Sequence, residues 1–193
     1  MTRIIPQTRR TWLATVAGVA ALVAPLGAAA PALAQEPASP AAPTPRIDDA
    51  EALALVNRLI VEVQSGGDFA LFEEIFDPAF VDHTPFPGYT PDKDGALSIY
   101  HTFRTGFPDF RAEVHLQVVQ DGRVTSFKTY RGTHLGPFMG LAPTGREIAI
   151  PIMDIVEVRD GRITAHWGVP DSLTLFRQLG VRRFDAAGAP LTD

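Results

Sequence analysis

The hydrophobic pattern of this chain changes its period once, near Phe110, and that change limits the folds open to it. Before Phe110, apolar residues recur every three or four positions, which is the period of a helix with one buried face. After it, apolar and polar residues alternate, which is the period of a strand with one buried face. Helices followed by a meander of long strands predict an α+β fold, with the helices packed on one face of a curved, mostly antiparallel sheet.

Two helices are predicted at the start of the helical half. Asp48 can cap the first helix, and Gly66 and Gly67 end it. Asp68 can cap the second, shorter helix, whose apolar stripe consists of phenylalanines. That stripe is most simply explained by core packing, and nothing in these two helices suggests a cofactor.

A third helix is predicted to bring aromatic side chains toward the sheet. Thr90 and Pro91 suit its N-cap and its first position, and Gly106 ends it. Its period directs Tyr100 and Phe103 inward. Both are therefore candidates for contact with a bound small molecule.

Four strands are predicted from Phe110 onward, with tight turns at Asp121-Gly122 and Asp160-Gly161. The loop over residues 132–146 carries four glycines and is long enough to form a rim or a lid. A short helix over residues 172–179 follows the last strand and can close the open end of the sheet. The buried side of the first strand would consist of Phe110, Ala112, Val114, Leu116 and Val118.

Residues 1–34 have the composition of an export signal peptide: a basic start, a short apolar run and small residues before the expected cleavage point. Arg9-Arg10 favours a twin-arginine signal, and an ordinary secretory signal is the alternative. Either signal predicts an exported protein, periplasmic or secreted, without stable membrane anchoring after cleavage. Residues 35–46 are a linker rich in proline and alanine. The folded domain is expected over residues 47–181, followed by a C-terminal tail at 182–193.

Charge and composition exclude several classes of function. The leader holds three arginines and no acid, so the other residues carry 14 basic and 22 acidic side chains, a net charge of −8. Such a surface repels nucleic acid, which makes nucleic-acid binding a poor hypothesis. The chain has no cysteine, which excludes disulfides, thiolate metal sites and a cysteine nucleophile.

Asp171 is the leading candidate for a catalytic residue. It follows the last strand and stands close to Trp167, where a carboxylate can face a pocket and the indole is a candidate for contact with a substrate. It can equally cap the short helix that begins after it. Asp154 shares the parity of the apolar residues of its strand, so it is expected to be buried and to organise the pocket through a polar partner.

Three histidines complete the set of candidate polar residues. His83 lies at a strand end, His134 in the glycine-rich loop and His166 in the last strand. No pair has the close spacing of a helical metal motif, so the sequence predicts no metal. A cofactor-free pocket with carboxylates and histidines among aromatic residues is suited to proton transfer, because an apolar surrounding raises the pKa of a carboxyl group and makes it a stronger base.

Five short motifs occur in an order that resembles the SnoaL-like polyketide cyclase, or ester cyclase, family. The resemblance covers residues 47–181. It implies a cone-shaped α+β barrel of the nuclear-transport-factor-2-like superfamily, commonly oligomeric, with the pocket inside the cone. The motifs are FVDHTP at 80–85, FPDF at 107–110, GTH at 132–134, PTGR at 143–146, and HWG at 166–168 with Asp171 and QLG at 178–180.

The resemblance also implies a mechanism. In cyclases of that family, an aspartate after the tryptophan-containing strand promotes an intramolecular aldol closure without metal or cofactor, and Asp171 occupies the matching place. His83, His134 and His166 would then be polar partners of the substrate. We expect an exported acid/base enzyme acting on a small carbonyl compound, with no cofactor and a small apolar or polyketide-like ligand. The alternatives are a non-catalytic binding protein of the same fold and a scaffold that dimerises through its sheet face.

Overall fold

The computed structural model describes residues 47–184 together with residues 190 and 191. The predicted signal peptide at 1–34 and linker at 35–46 lie outside the described residues. Within the predicted tail, a two-stranded ladder pairs Arg183–Phe184 with Pro190–Leu191. No helix of the described part is long and apolar enough to cross a membrane.

Four helices are present in the described residues. Helix α1 spans Asp49–Arg58 and continues as a π-helical segment, Leu59–Ser65. The others are α2 at Phe69–Ile75, α3 at Lys93–Gly106 and α4 at Ser172–Gln178. The order of helices and strands follows the change of period in the sequence, which confirms the α+β prediction.

Five strands form one mixed sheet in the order β1-β5-β4-β3-β2. Strand β1 runs parallel to β5, and the other neighbours are antiparallel. Because β1 and β2 are free edges, the sheet is curved but is not closed into the barrel that the resemblance implied. The strands are β1 at Phe76–Asp82, β2 at Arg111–Gln120, β3 at Arg123–Thr133, β4 at Glu147–Arg159 and β5 at Arg162–Pro170.

Aspartate caps begin the helices, as the sequence predicts for three of them. The side chains of Asp48, Asp68 and Asp171 each accept a hydrogen bond from a first-turn amide. The prediction for α3 was wrong by two positions, because Asp92 and not Thr90 caps that helix. The Thr90 hydroxyl donates to the Asp92 carboxylate at 2.6 Å and so supports the actual cap.

The expected buried face of β2 was also wrong from Val114 onward, and Val114 itself is 41% exposed on this edge strand. The β2–β3 register shifts between Val114 and Leu116, which places an extra residue in β2. Such a bulge inverts the alternation of the residues that follow it. Leu116 and Val118 are consequently 60% and 58% exposed on the outer face of the sheet.

Substitutions can verify this inversion. Leu116→Ala should change the free energy of unfolding by no more than about 0.5 kcal/mol, because an exposed side chain loses little burial. Ile150→Ala, at a fully buried position on the inner face of β4, should cost about 2–5 kcal/mol. Urea unfolding followed by circular dichroism measures both. Equal losses for the two variants would show that Leu116 is buried after all.

Candidate functional site

A cavity lies between the helices and the inner face of the sheet. The centres of water-sized molecules have about 70 Å³ available inside it, and the whole empty space, open solvent at the mouth included, is about 730 Å³. Its walls are mostly apolar, as in typical small-molecule sites. The apolar lining consists of Leu59, Phe76, Phe80, Phe86, Ile99, Phe103, Phe110, Ile152, Val156 and Pro170. The polar side chains of the lining are Gln64, Asp82, Thr84, Tyr100, Tyr130 and His166.

His166 and Asp82 form the main polar contact in the cavity wall. They are register partners on the parallel strands β5 and β1, and His166 Nδ1 lies 3.0 Å from Asp82 Oδ1. The Thr84 amide donates to the same carboxylate oxygen at 2.9 Å, and the Thr84 hydroxyl accepts from the Gly168 amide at 2.6 Å. The loop after β1 is thereby held against β5.

Gly168 makes room for the imidazole ring of His166. A Cβ atom at position 168 would lie 2.8 Å from His166 Cε1, closer than non-bonded carbons approach each other. Position 168 therefore has to lack a side chain if His166 is to keep this orientation.

A buried ion pair lies beside His166. Lys128 Nζ and Asp154 Oδ2 are 2.6 Å apart, and both side chains are 1% exposed. The sheet register explains the contact: Asp154 stands opposite Ser126 on β3 and Gly168 on β5, which makes Lys128 and His166 its diagonal neighbours. His166 Nε2 lies 3.8 Å from Asp154 Oδ2.

The four groups form a continuous row across strands β3, β4, β5 and β1, in the order Lys128, Asp154, His166, Asp82. Two of the groups are acids and two are bases. The row is electrically balanced when the imidazole is protonated, which is the condition under which buried charge is tolerated.

The pKa values of this row follow from these contacts. Burial lowers the pKa of His166, but the attraction of the Asp154 carboxylate and the hydrogen bond and attraction of Asp82 outweigh it, so the net pKa is raised. Burial raises the pKa of Asp82, but its hydrogen bond and attraction to His166 bring the net value below the usual range. The pKa of Asp154 is likewise lowered: burial opposes ionisation, and Lys128 and His166 prevail.

Asp171 does not line the cavity, contrary to the prediction from the sequence. Its exposed carboxylate accepts from the Thr174 amide at 2.9 Å and caps α4. The same hydrogen bond lowers its pKa, which is the opposite of the rise expected for a base in an apolar pocket. The reason is the N-cap geometry, which turns the side chain toward the helix end; the sequence had left both orientations open.

His83 and Trp167 also lie outside the cavity lining. Their rings stack with 4.4 Å between centroids and 2° between planes, and His83 is exposed. Trp167 pairs with Ile155, whose parity is opposite to that of Asp154, so the indole is on the outer face of the sheet. The expectation that these two side chains contact a ligand in the cavity is not met by their positions.

His134 is buried in a second place, beneath the glycine-rich loop. Its Nδ1 lies 3.0 Å from the Thr144 hydroxyl, and its ring packs against Phe107 and Phe138. Burial lowers the pKa of His134, which favours the neutral ring. It therefore joins the two ends of the loop and does not line the cavity.

Tyr100, Phe103 and His166 line the cavity as the sequence predicts, and Asp154 is buried beside them. Sequence reasoning missed Asp82, Gln64 and Lys128. Lys128 carried a signal, because it shares the inward parity of Val124 and Tyr130 in β3. Asp82 and Gln64 carried similar signals, since Asp82 shares the parity of Phe80 and Gln64 follows Ile60 by four positions, but only the contact between distant segments joins them in one site.

No group of three or more histidine, aspartate or glutamate side chains in the described range is arranged to hold a metal ion. The site consists of one histidine, two carboxylates, one ammonium, an amide and two phenols. Such a set can transfer protons and donate hydrogen bonds to a carbonyl oxygen.

The model of the SnoaL-like polyketide cyclase family matches residues 54–179. No curated protein sequence matches the chain. Among solved structures, wild-type IdmH of Streptomyces antibioticus, described as a candidate polyketide cyclase, is 33% identical over 67% of this chain and 99% of its own, with a TM-score of 0.59.

Two further structures are similar. A candidate polyketide cyclase of Bacillus cereus is 28% identical over 67% of this chain and 80% of its own, with a TM-score of 0.59. A SnoaL-like protein of Jannaschia shares 20% identity over 70% of this chain and 95% of its own, with a TM-score of 0.63, and so supports the fold.

The fold and the cavity inside it are those of the nuclear-transport-factor-2-like class. Within that class, the chain belongs to the SnoaL-like polyketide cyclase family.

The buried ion pair makes a testable contribution to stability. Lys128→Met leaves the Asp154 carboxylate buried without its cation and should cost about 3–5 kcal/mol. The double variant Lys128→Met/Asp154→Leu removes both charges and should recover most of that loss. Urea unfolding of the two variants beside the wild type measures the difference. A double variant as unstable as the single one would contradict the role assigned to the pair.

Proposed function

We propose that this protein is a cofactor-free acid/base enzyme that acts on a small carbonyl compound by proton abstraction, in the manner of an aldol cyclase. The observation that carries this proposal is the His166–Asp82 pair in the wall of an apolar cavity. Membership of the SnoaL-like family supports the cyclase type of reaction. The base differs from the one that the sequence suggested, because His166 and not Asp171 lines the cavity.

The contacts of His166 define its tautomer. The Asp82 carboxylate only accepts hydrogen bonds, so the proton of the neutral ring resides on Nδ1. Nε2 is then the basic nitrogen, and at 3.8 Å from Asp154 it lies beyond hydrogen-bond distance of that carboxylate. Neutral His166 is thus oriented with a free lone pair, and both carboxylates stabilise the imidazolium that forms when it takes a proton.

The reaction proceeds in three steps with balanced protons. His166 Nε2 takes a proton from the carbon next to a substrate carbonyl, and an enolate forms. The enolate carbon attacks a second carbonyl of the same substrate, which becomes an alkoxide. The imidazolium returns its proton to that alkoxide and regenerates neutral His166. The apolar walls exclude water, which strengthens the electrostatic contacts that stabilise both anions.

Replacing the base tests this assignment directly. His166→Gln should lower the rate of α-proton exchange by about 10²–10⁴-fold, the usual contribution of a general base. Asp171→Asn should keep the wild-type rate, because asparagine caps a helix as well as aspartate does. Proton NMR in D₂O on a panel of β-keto esters follows the exchange. Loss of exchange in Asp171→Asn, with a fully active His166→Gln, would restore the sequence-based assignment.

The pH profile supplies a second test. The base must be neutral, so exchange should rise with pH through the raised pKa of His166. Asp82→Asn removes a negative charge that stabilises the imidazolium, which lowers that pKa and moves the rising limb to lower pH. The plateau rate should fall, because the weaker base also loses its fixed tautomer.

Asp77→Asn is the matched control for the pH profile, since Asp77 lies on the same strand and does not line the cavity. It should leave the rising limb in place. A limb that does not move in Asp82→Asn contradicts the assignment of His166 as the base.

Non-catalytic binding of an apolar small molecule is the second candidate, and the largely apolar lining favours it. Native mass spectrometry of the purified protein would then show a retained ligand, and no substrate of the panel would exchange protons. Export and a homo-oligomeric state stay predictions. N-terminal sequencing of protein recovered from outside the cytoplasm tests the first, and analytical ultracentrifugation tests the second.

A further inference from the structure

We propose that the Tyr100 hydroxyl donates a hydrogen bond to the substrate oxygen on which negative charge develops, and that Lys128 orients this donor through Gln64. The inference rests on the proposed function and adds a second catalytic residue to it. Tyr100 would touch the substrate, whereas Gln64 and Lys128 would act as positioning residues.

Lys128 fixes the orientation of the Gln64 amide. An ammonium group only donates hydrogen bonds, so the Gln64 atom that lies 3.2 Å from Lys128 Nζ has to be the carbonyl oxygen Oε1. The ammonium is itself held by the short contact with Asp154. The amide of Gln64 therefore cannot rotate by half a turn without placing its NH₂ group against a cation.

The orientation of Gln64 determines what Tyr100 does. With Oε1 on Lys128, the NH₂ group of Gln64 faces the Tyr100 hydroxyl and donates to it at 3.2 Å. The phenol oxygen is thus the acceptor in this contact, so the hydroxyl hydrogen of Tyr100 is not used in it. Within residues 47–184, the Tyr100 hydroxyl makes no hydrogen bond other than this one.

The hydroxyl hydrogen of Tyr100 is available to an acceptor bound in the cavity. Tyr100 belongs to the cavity lining together with His166 and Tyr130. Burial and the neighbouring Tyr130 raise the pKa of Tyr100, so the phenol keeps its proton and serves as a donor. A neutral ketone or ester oxygen is an acceptor that fits such a donor, and the bond strengthens as the oxygen becomes an enolate.

A coloured phenol can probe this donor without any turnover. The phenolate oxygen of 4-nitrophenol resembles an enolate oxygen, and its absorbance reports whether the bound molecule is ionised. A hydrogen bond to a charged oxygen is strong enough that Tyr100→Phe should weaken phenolate binding by about tenfold or more. The same variant should raise the apparent pKa of the bound probe. Absorbance titration over a range of pH measures both quantities.

Tyr89→Phe is the matched control. The Tyr89 hydroxyl donates to Thr102 at 2.8 Å, and Tyr89 does not line the cavity, so its loss should leave probe binding unchanged. Equal binding by the wild type and Tyr100→Phe would overturn the inference. So would the absence of saturable binding by the wild type at millimolar probe.

A second variant tests the positioning role of Gln64. Gln64→Glu keeps the size of the side chain and its contact with Lys128, but a carboxylate can only accept hydrogen bonds. Tyr100 would then donate to that carboxylate, and the cavity would lose its donor. We expect a rise in the apparent pKa of the bound probe at least as large as in Tyr100→Phe, because the new carboxylate takes the Tyr100 hydrogen and also repels the phenolate, and a wild-type value would overturn the positioning role.

The failure of this inference can be told apart from the failure of the proposed function. Suppose that His166→Gln abolishes proton exchange while Tyr100→Phe alters neither exchange nor probe binding. The proposed enzymatic function is then supported, and the proposed role of Tyr100 as a donor is refuted. Suppose instead that no compound exchanges protons but Tyr100→Phe weakens phenolate binding. Tyr100 then donates to a bound ligand, and the enzymatic proposal fails.

Discussion

The structure of this site depends on one electrostatic constraint: a carboxylate buried in the inner face of a sheet has to be neutralised. Asp154 occupies a position where every neighbour in its own strand with the same parity is apolar. Lys128 supplies the compensating charge from β3, and His166 approaches from β5. Because the pair is fully enclosed, it fixes the orientation of the Gln64 amide through Lys128. His166 takes its orientation from Asp82, and Asp154 adds a second negative charge near its ring.

The two faces of the sheet carry different kinds of side chain near this buried carboxylate. On the inner face, Tyr130 and Ile152 continue the apolar wall around the charged row. On the outer face, His83 and Trp167 stack at the surface. Strand β5 contributes to both faces through consecutive residues, so His166 and Trp167 have different surroundings although they are adjacent in the chain. Parity, and not proximity in sequence, decides which of them can touch a ligand.

Much of the fold could be predicted from the sequence because its causes are local. The caps at Asp48 and Asp68, the turns at the two Asp-Gly pairs and the burial of Asp154 follow from patterns within a few residues. The errors have local causes as well. One extra residue in β2 reversed the alternation beyond Val114, and a strand pattern cannot show where a bulge occurs.

The sequence by itself determined the α+β class, the aromatic inward face of α3 and the presence of an acid in the core, since these depend on hydrophobic period and composition. Only the tertiary structure decided which acid lines the cavity. It joined Asp82 to His166, 84 positions away, and it turned Asp171 to the end of α4. The physical reason is that the polar row is made by contacts between side chains on different strands, and strand register is fixed by the packing of the whole sheet.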